Sequence, residues 1–427
     1  MTFAPFTPYS RVVNPVFALQ NEAKRQRASR GGLAFVLTTI FLDMLGAAIL
    51  LPVLPYIVRL YNTDALTVAL LAVVYSVAQF SAAPILGWLS DRSGRRPVLL
   101  LSVLGSALGY YLFGIGGALW VLFLSRLIDG ITGGNISTAQ AYIADVTPPQ
   151  DRAKNFALMG AVFSLGFILG PAIGGVLGQF NVILPAFTAG TLSLLSVIFG
   201  YFLLPESLTK EKRATTPFNW SSINPVAAIL EMAARPNLGV LLFATFVFNF
   251  VYGAMASNFS VYTIEKFGAL PFENASVFTL VGAIGFIIQA GVVQRLVPRF
   301  GEKKLALSGL VMQVLGFLGI GVAPAFWLLY PISTLIGAGN AFMRPTLTAL
   351  IANGVPFREQ GKVAGVTASL TSLTYVLGPL WAGVSYDYVM PSAPYWTGAL
   401  MLALTWLLVA RLKVGLPTKE DEQVRTA

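Results

Sequence analysis

The chain contains neither cysteine nor histidine among its 427 residues. Without thiols it can form no disulfide and offer no thiolate nucleophile, and without imidazole it lacks the usual proton relay and the commonest zinc ligand. No metal site and no cofactor are therefore expected. Charge is also sparse, at 11% of residues against 56% hydrophobic, with a mean hydropathy of +0.73. A soluble core of this length cannot use so much apolar surface, which places the chain in a bilayer. The absence of a nucleophile–base constellation, a metal-ligand cluster and a phosphate-binding glycine loop argues against an enzyme. The first 30 residues have no apolar core followed by small residues, so no cleavable signal is expected.

What is present is a series of apolar runs, each close to the roughly 20 residues needed to span hydrocarbon. Six fall between Leu33 and Leu204 and six between Leu238 and Leu412; the fourth covers Ala118–Ala141 and the eighth Ala275–Val297. The expected organisation is an N-terminal segment 1–32, a six-helix bundle 33–204, a linker 205–237, a second six-helix bundle 238–412 and a tail 413–427. An even number of spans puts both ends of the chain on one side. With that side inside, the inner segments carry 24 Lys and Arg and the outer loops only Arg59 and Lys266, so both termini are expected in the cytoplasm of a cell (inner) membrane. The net charge of +10 thus reflects topology. It sits between spans and does not point to nucleic acid.

The chain repeats itself. Gly170-Pro171-Ala172-Ile173-Gly174-Gly175 recurs as Gly378-Pro379-Leu380-Trp381-Ala382-Gly383, an offset of 208, and the run from Ala141 through Asp145 to Pro148 aligns at the same offset with Ala349 to Pro356. Gly94-Arg95-Arg96 meets Gly301-Glu302-Lys303 at 207. Such signposts at one period indicate two copies of a six-helix unit, an arrangement that places a substrate site between the halves near the midplane.

The segment Gly87-Trp88-Leu89-Ser90-Asp91-Arg92-Ser93-Gly94-Arg95-Arg96-Pro97 resembles the signature loop of the major facilitator superfamily. Ser125 to Gly134 resembles that family's fourth-helix motif, and Gly170 to Gly175 the fifth-helix motif of its drug antiporters. With Leu42-Asp43-Met44-Leu45-Gly46 and Leu51-Pro52-Val53-Leu54-Pro55, the first half is most similar to the tetracycline/proton antiporters. The resemblance implies an all-α fold of twelve transmembrane helices in two pseudo-repeats and multidrug-type efflux driven by protons. The tetracycline group has acids in its third and ninth helices, where this chain has Gly109 and Tyr110, and Gln313.

Physical chemistry assigns the motifs distinct roles. Gly87, Asp91, Arg92, Gly94, Arg95, Arg96 and Asp145 gather charges where helix ends meet, and are expected to act as a cytoplasmic gate through carboxylate–guanidinium pairs and helix-end carbonyls. In the second copy Pro298 replaces the acid, so its latch is expected to be weaker. Gly170, Pro171, Gly174 and Gly175 are small residues suited to close helix crossing and carry no chemistry. Arg126, Asp129 and Gly133 share one helix face. A charge inside the bilayer costs roughly 2.5–3.5 kcal/mol on insertion scales, so Arg126 and Asp129 are expected to pair. Asp43 in the first span, without an opposite charge one turn away, is then the expected main proton-responsive carboxylate, with Asp129 and Arg126 setting its affinity for the proton. A static tie between Arg126 and a carboxylate is the structural alternative.

Arg344, one turn after Asn340, has no intramembrane acid in its own half. It is read as an anchor for a substrate anion, a partner for Asp43 or Asp129, or a side chain reaching toward headgroups. Tyr75, Gln79, Tyr110, Asn249, Tyr252, Gln289 and Gln313 join Asn340 and Arg344 as candidates to line a substrate cavity. The leading function is proton-coupled export of small amphipathic molecules by a monomer; a lipid flippase or uniporter and a transport-inactive receptor are the alternatives.

Overall fold

The computed structural model describes residues 15–61, 64–148, 151–213, 225–356 and 359–412. The tail 413–427, the first 14 residues and the middle of the linker, expected above, lie outside the described residues. All described elements are helical. In chain order they are α1 (Pro15–Leu50), α2 (Leu54–Arg59), α3 (Ala65–Ser93), α4 (Arg95–Ile115), α5 (Leu119–Thr132), α6 (Asn135–Val146), α7 (Arg152–Phe180), α8 (Leu184–Leu203), α9 (Pro225–Ala233), α10 (Pro236–Phe267), α11 (Pro271–Ile287), α12 (Gln294–Phe300), α13 (Glu302–Val322), α14 (Leu329–Asn353), α15 (Gln360–Tyr388) and α16 (Ala393–Arg411).

Eleven helical stretches among the described residues are long and apolar enough to cross a membrane. The twelfth crossing is not the continuous span expected at Ala118–Ala141: Gly133 and Gly134 form a turn that divides it into α5, of 14 residues, and α6, of 12. At 1.5 Å per residue neither piece spans roughly 30 Å of hydrocarbon, but together they do. The glycines have a second effect. A methyl group on Gly134 would lie 2.9 Å from the Ala83 Cα, so its absence lets this broken span press against the backbone of α3.

The eighth span also departs from a plain helix. Between α11 and α12 the chain takes a π-helical turn over Ile288–Val293. Turns of this kind widen the helix and free backbone groups, and they recur at functional sites. Pro52 and Pro55 end α1 and start α2, so the first span closes at Leu50.

The elements form two bundles of six crossings, α1 and α3–α8 in one, α10–α16 in the other, with α9 packed against α10 and α15. The bundles meet chiefly through α7 with α11 and α3 with α15, and α3 also touches α10. The sequence repeat explains this symmetry at the level of atoms. Gly170 packs on Ala48 of α1 and its counterpart Gly378 packs on Phe250 and Ala254 of α10, each within its own half. Gly175 packs on Ala275 of α11 and its counterpart Gly383 packs on Leu66 and Ala69 of α3, each across to the other half. The fifth-helix motif therefore does two jobs. Gly170 and Gly174 seat α7 on α1, and Gly175 sets it against the other half.

Gly170→Val should force α7 away from α1. Overpacking of this kind costs about 1–3 kcal/mol, and a thermal-denaturation midpoint below that of the parent protein in detergent checks it.

Candidate functional site

The intramembrane charges of the first half converge on one buried cluster. Asp43, Arg126 and Asp129 are 8%, 7% and 3% exposed. Arg126 Nη1 lies 3.2 Å from Asp129 Oδ2, as their separation by three residues on α5 allows. The same guanidinium covers the Phe113 ring at 4.7 Å and the Tyr110 ring at 5.7 Å, so aromatic faces of α4 supply part of the solvation that water would give. Its Nε and Nη2 are buried without a hydrogen-bond partner. Asp129 also receives a hydrogen bond from Ser106 of α4.

Asp43 is not tied to Arg126. Its Oδ2 accepts a hydrogen bond from Asn135 Nδ2 at 3.2 Å, and Asn135 is the first residue of α6, directly after the Gly133–Gly134 turn. Gln79 Nε2 donates to the Gly133 carbonyl at 2.9 Å and to the Tyr75 hydroxyl at 3.0 Å. The divided span thus brings its broken backbone, an acid from α1 and the ion pair of α5 into one network. Asn135 and Ser106 were not anticipated from sequence; a polar residue at a helix break was the available signal.

The cavity candidates separate into groups. Tyr75, Gln79 and Tyr110 belong to this first-half network. Gln313 donates to the Ile336 carbonyl between α13 and α14, and Asn249 donates to the Thr245 carbonyl on its own helix. Tyr110, Asn249 and Gln313 are buried inside a bundle, and Tyr75 and Gln79 are half-buried beside the Asp43 cluster. Gln289 is exposed on the π-helical turn. Tyr252, Asn340 and Arg344 do come together: Asn340 hydrogen-bonds to the Tyr252 phenol, and the Arg344 charge acts on the same group.

The basic loop after α3 forms a compact device at its end of the molecule. Arg95 pairs with Asp91 one turn earlier and reaches Asp145 of α6 at 3.3 Å. Arg96 Nη2 donates to the Tyr201 carbonyl at the end of α8, and Arg92 lies 5.4 Å from the Trp88 ring centre. Glu206, which sequence reading missed, accepts from the backbone N–H groups of Arg95 and Arg96 at 2.9 and 3.2 Å and so caps α4. A side chain on Gly94 would strike that carboxylate, and its φ of 112° disfavours one in any case. The second half repeats the plan with its charges rearranged. Glu302 meets Asn353 at 3.4 Å, and Lys303 Nζ donates to the Ala410 carbonyl at 2.8 Å at the end of α16. All these pairs, and those of α9 and α10 with α15 (Glu231–Lys362 and Arg235–Glu359), stay within one half and its linker. Gly87 lies against Ser137.

The opposite end is sealed across the halves. Tyr56 of α2 donates to the Ala269 carbonyl at 2.6 Å and accepts from Asn274 at 2.9 Å. Arg59 pairs with Glu265 at 3.1 Å, and Tyr386 donates to the same carboxylate. Asp387 near the end of α15 accepts from the Leu66 N–H at 2.8 Å, so an acid of one half caps the helix of the other. Beside it Asp64 caps α3 within its own half, and the Thr67 hydroxyl and N–H hold its carboxyl below the usual range.

The sequence profile of the Major Facilitator Superfamily matches residues 36–379 and, a second time, 290–426. A tetracycline resistance protein, class C, of Escherichia coli is 34% identical over 387 residues, covering 90% of this chain and 95% of that protein. Multidrug resistance protein 2 of Bacillus subtilis (strain 168) is 29% identical over 354 residues, covering 82% of this chain and 88% of that protein. The crystal structure of the human organic anion transporter MFSD10 (TETRAN) superposes with a TM-score of 0.67 at 26% identity, over 89% of this chain and 99% of that one.

The cross-half contacts predict a graded response. Arg59 and Glu265 are 40% and 45% exposed, and a pair that open to water is worth about 0–1 kcal/mol. Asp387→Ala, which uncaps a helix across the interface, should lengthen the distance between spin labels at Leu60 and Met390 in pulsed electron–electron resonance, and Arg59→Ala should change it little.

Proposed function

The chain belongs to the major facilitator superfamily, and from that premise we propose that it is a proton-coupled exporter of small amphipathic, drug-like molecules working by alternating access. Membership makes it a multi-pass membrane transporter of small molecules, not an enzyme. The basic residues support an orientation with both termini on the cytoplasmic side of the inner membrane. In that orientation the end sealed by Tyr56, Arg59 and Asp387 faces outward, and the end carrying the Arg95 and Arg235 pairs, none of which joins the halves, faces the cytoplasm. This is the posture in which an exporter loads. Resistance proteins for tetracycline and for several drugs among the relatives support a drug-like cargo.

The observation that carries the proton reading is the buried cluster of Asp43, Asn135, Arg126 and Asp129. With no histidine in the chain, a proton held within the hydrocarbon must sit on a carboxylate, and only Asp43 and Asp129 are available there. Asp129 is matched by Arg126. Asp43 has only a neutral amide donor, so it is the group whose charge can be removed without stranding a partner cation. Protonating Asp43 weakens the tie between α1 and α6. The effect can pass along α1, since Asp43 lies seven residues, roughly 10 Å at 1.5 Å per residue, from Leu50, beyond which α2 carries Tyr56 and Arg59 of the outer seal. A proton from outside thereby biases one element that both substrate and proton can share. The two halves of the path lie in one chain, so a monomer suffices.

Asp43→Asn keeps the hydrogen bond to Asn135 through either amide atom but cannot exchange a proton. In proteoliposomes it should retain substrate counterflow at near-parental rates and lose accumulation driven by an imposed pH gradient. Accumulation at the parental level in that variant would overturn the assignment.

A further inference from the structure

The second half holds one intramembrane charge that the proton cycle does not use. Arg344 lies nine residues before the end of α14, roughly 13 Å into the span at 1.5 Å per residue. The five acids between residues 238 and 412 are Glu265, Glu273, Glu302, Glu359 and Asp387, and each sits at a helix end. In the first half Asp129 is paired with Arg126 and Asp43 with Asn135. Among the described residues no carboxylate forms an ion pair with Arg344. A guanidinium cannot shed its proton to escape this position, and an uncompensated charge at this depth marks a function.

Its surroundings say what kind. Arg344 and Asn340 are four apart and share a face of α14. That face looks toward α10, because Asn340 hydrogen-bonds to the Tyr252 phenol and the Arg344 charge reaches the same group. Tyr375 of α15 acts on Tyr252 as well, and its ring lies 4.0 Å from where a side chain on Gly253 would begin. Arg344 is exposed and its neighbour Tyr252 is half-buried, so the cation stands at the edge of the packed interior. The Asn340 Oδ1 is buried with no hydrogen-bond partner. Cation, phenol, amide and a second, half-open tyrosine ring therefore converge from α10, α14 and α15.

We propose that Arg344, Asn340 and Tyr252 form the recognition site for an acidic group on the transported molecule, a carboxylate or comparably planar anion attached to an aromatic body. A guanidinium offers two parallel N–H donors to such a group, the Tyr252 hydroxyl adds a third, and the Tyr375 ring supplies an apolar face. A ligand hydroxyl or N–H beside the anion would satisfy the orphaned Asn340 oxygen. The inference rests on the export reading above and narrows its cargo to acidic or amphoteric compounds.

Two dyes with the same xanthene skeleton test it: fluorescein, which carries a free carboxylate, and rhodamine 6G, an esterified cation. Binding to the purified full chain is measured in detergent without any gradient. Arg344→Ala should weaken fluorescein binding roughly 10- to 100-fold, the loss of one or two charged hydrogen bonds, and rhodamine 6G binding by less than about 3-fold. Arg344→Lys should recover part of the fluorescein affinity and guards against a misfolded alanine variant. Equal losses for both dyes, no loss for either, or no fluorescein binding by the parent protein would overturn the proposal. Arg344-dependent fluorescein binding without gradient-driven transport of either dye would leave this site standing and remove the export reading.

Discussion

A charge can sit in hydrocarbon only where the protein replaces the water that the charge has lost. Each exposed exception costs roughly 2.5–3.5 kcal/mol, and this chain holds its intramembrane charges to Asp43, Arg126, Asp129 and Arg344. The first three are gathered where the fourth crossing breaks at Gly133 and Gly134. There Asn135, Ser106 and the rings of Tyr110 and Phe113 solvate them, while Gln79 satisfies the carbonyl freed at Gly133. The remaining ion pairs lie near helix ends, where they fasten neighbouring crossings or close one end of the molecule. The network around Asp43 is nearly satisfied. Two donors of Arg126 are not, and in a low-dielectric interior such a half-met demand gives the cluster a reason to rearrange when one charge is removed.

The two halves share their mechanics and differ in their charges. Small residues at matched positions seat the fifth and eleventh crossings on the first and seventh, and one turn later press them across to the other half. Positive-φ glycines at 94 and 301 turn the chain at matched positions after the second and eighth crossings. A cation following each turn holds the carbonyls that end the bundle's last helix. On this common frame the acids sit in one half and the lone cation in the other. In our reading, a proton site and an anion site thus occupy different bundles and communicate only through the relative motion of the halves.

The crossings were legible in the sequence because a run of some 20 apolar residues has few other uses, and the repeat was legible from its glycines. The division of the fourth crossing was not, since Gly133 and Gly134 also suit an unbroken close-packed helix. The π-helical turn at Ile288–Val293 has no local sequence mark. Asn249 and Gln313, buried on backbone carbonyls, illustrate a further limit: a polar residue within a span looks the same whether it faces a cavity or completes a hydrogen bond inside its bundle. The seal across the halves was missed for a different reason. Its partners are 206 residues apart for Arg59 and Glu265 and 321 for Leu66 and Asp387, and as loop-end charges they look topogenic one at a time.

The central claim is that Asp43 exchanges a proton as substrate and protein interact. The most direct measurement is proton release on ligand binding to the purified protein in weakly buffered detergent solution, followed with a pH-indicator dye. The account predicts release on adding a bound drug to the parent protein and none from Asp43→Asn under the same saturation. Equal release from both proteins, or none from the parent, would contradict it.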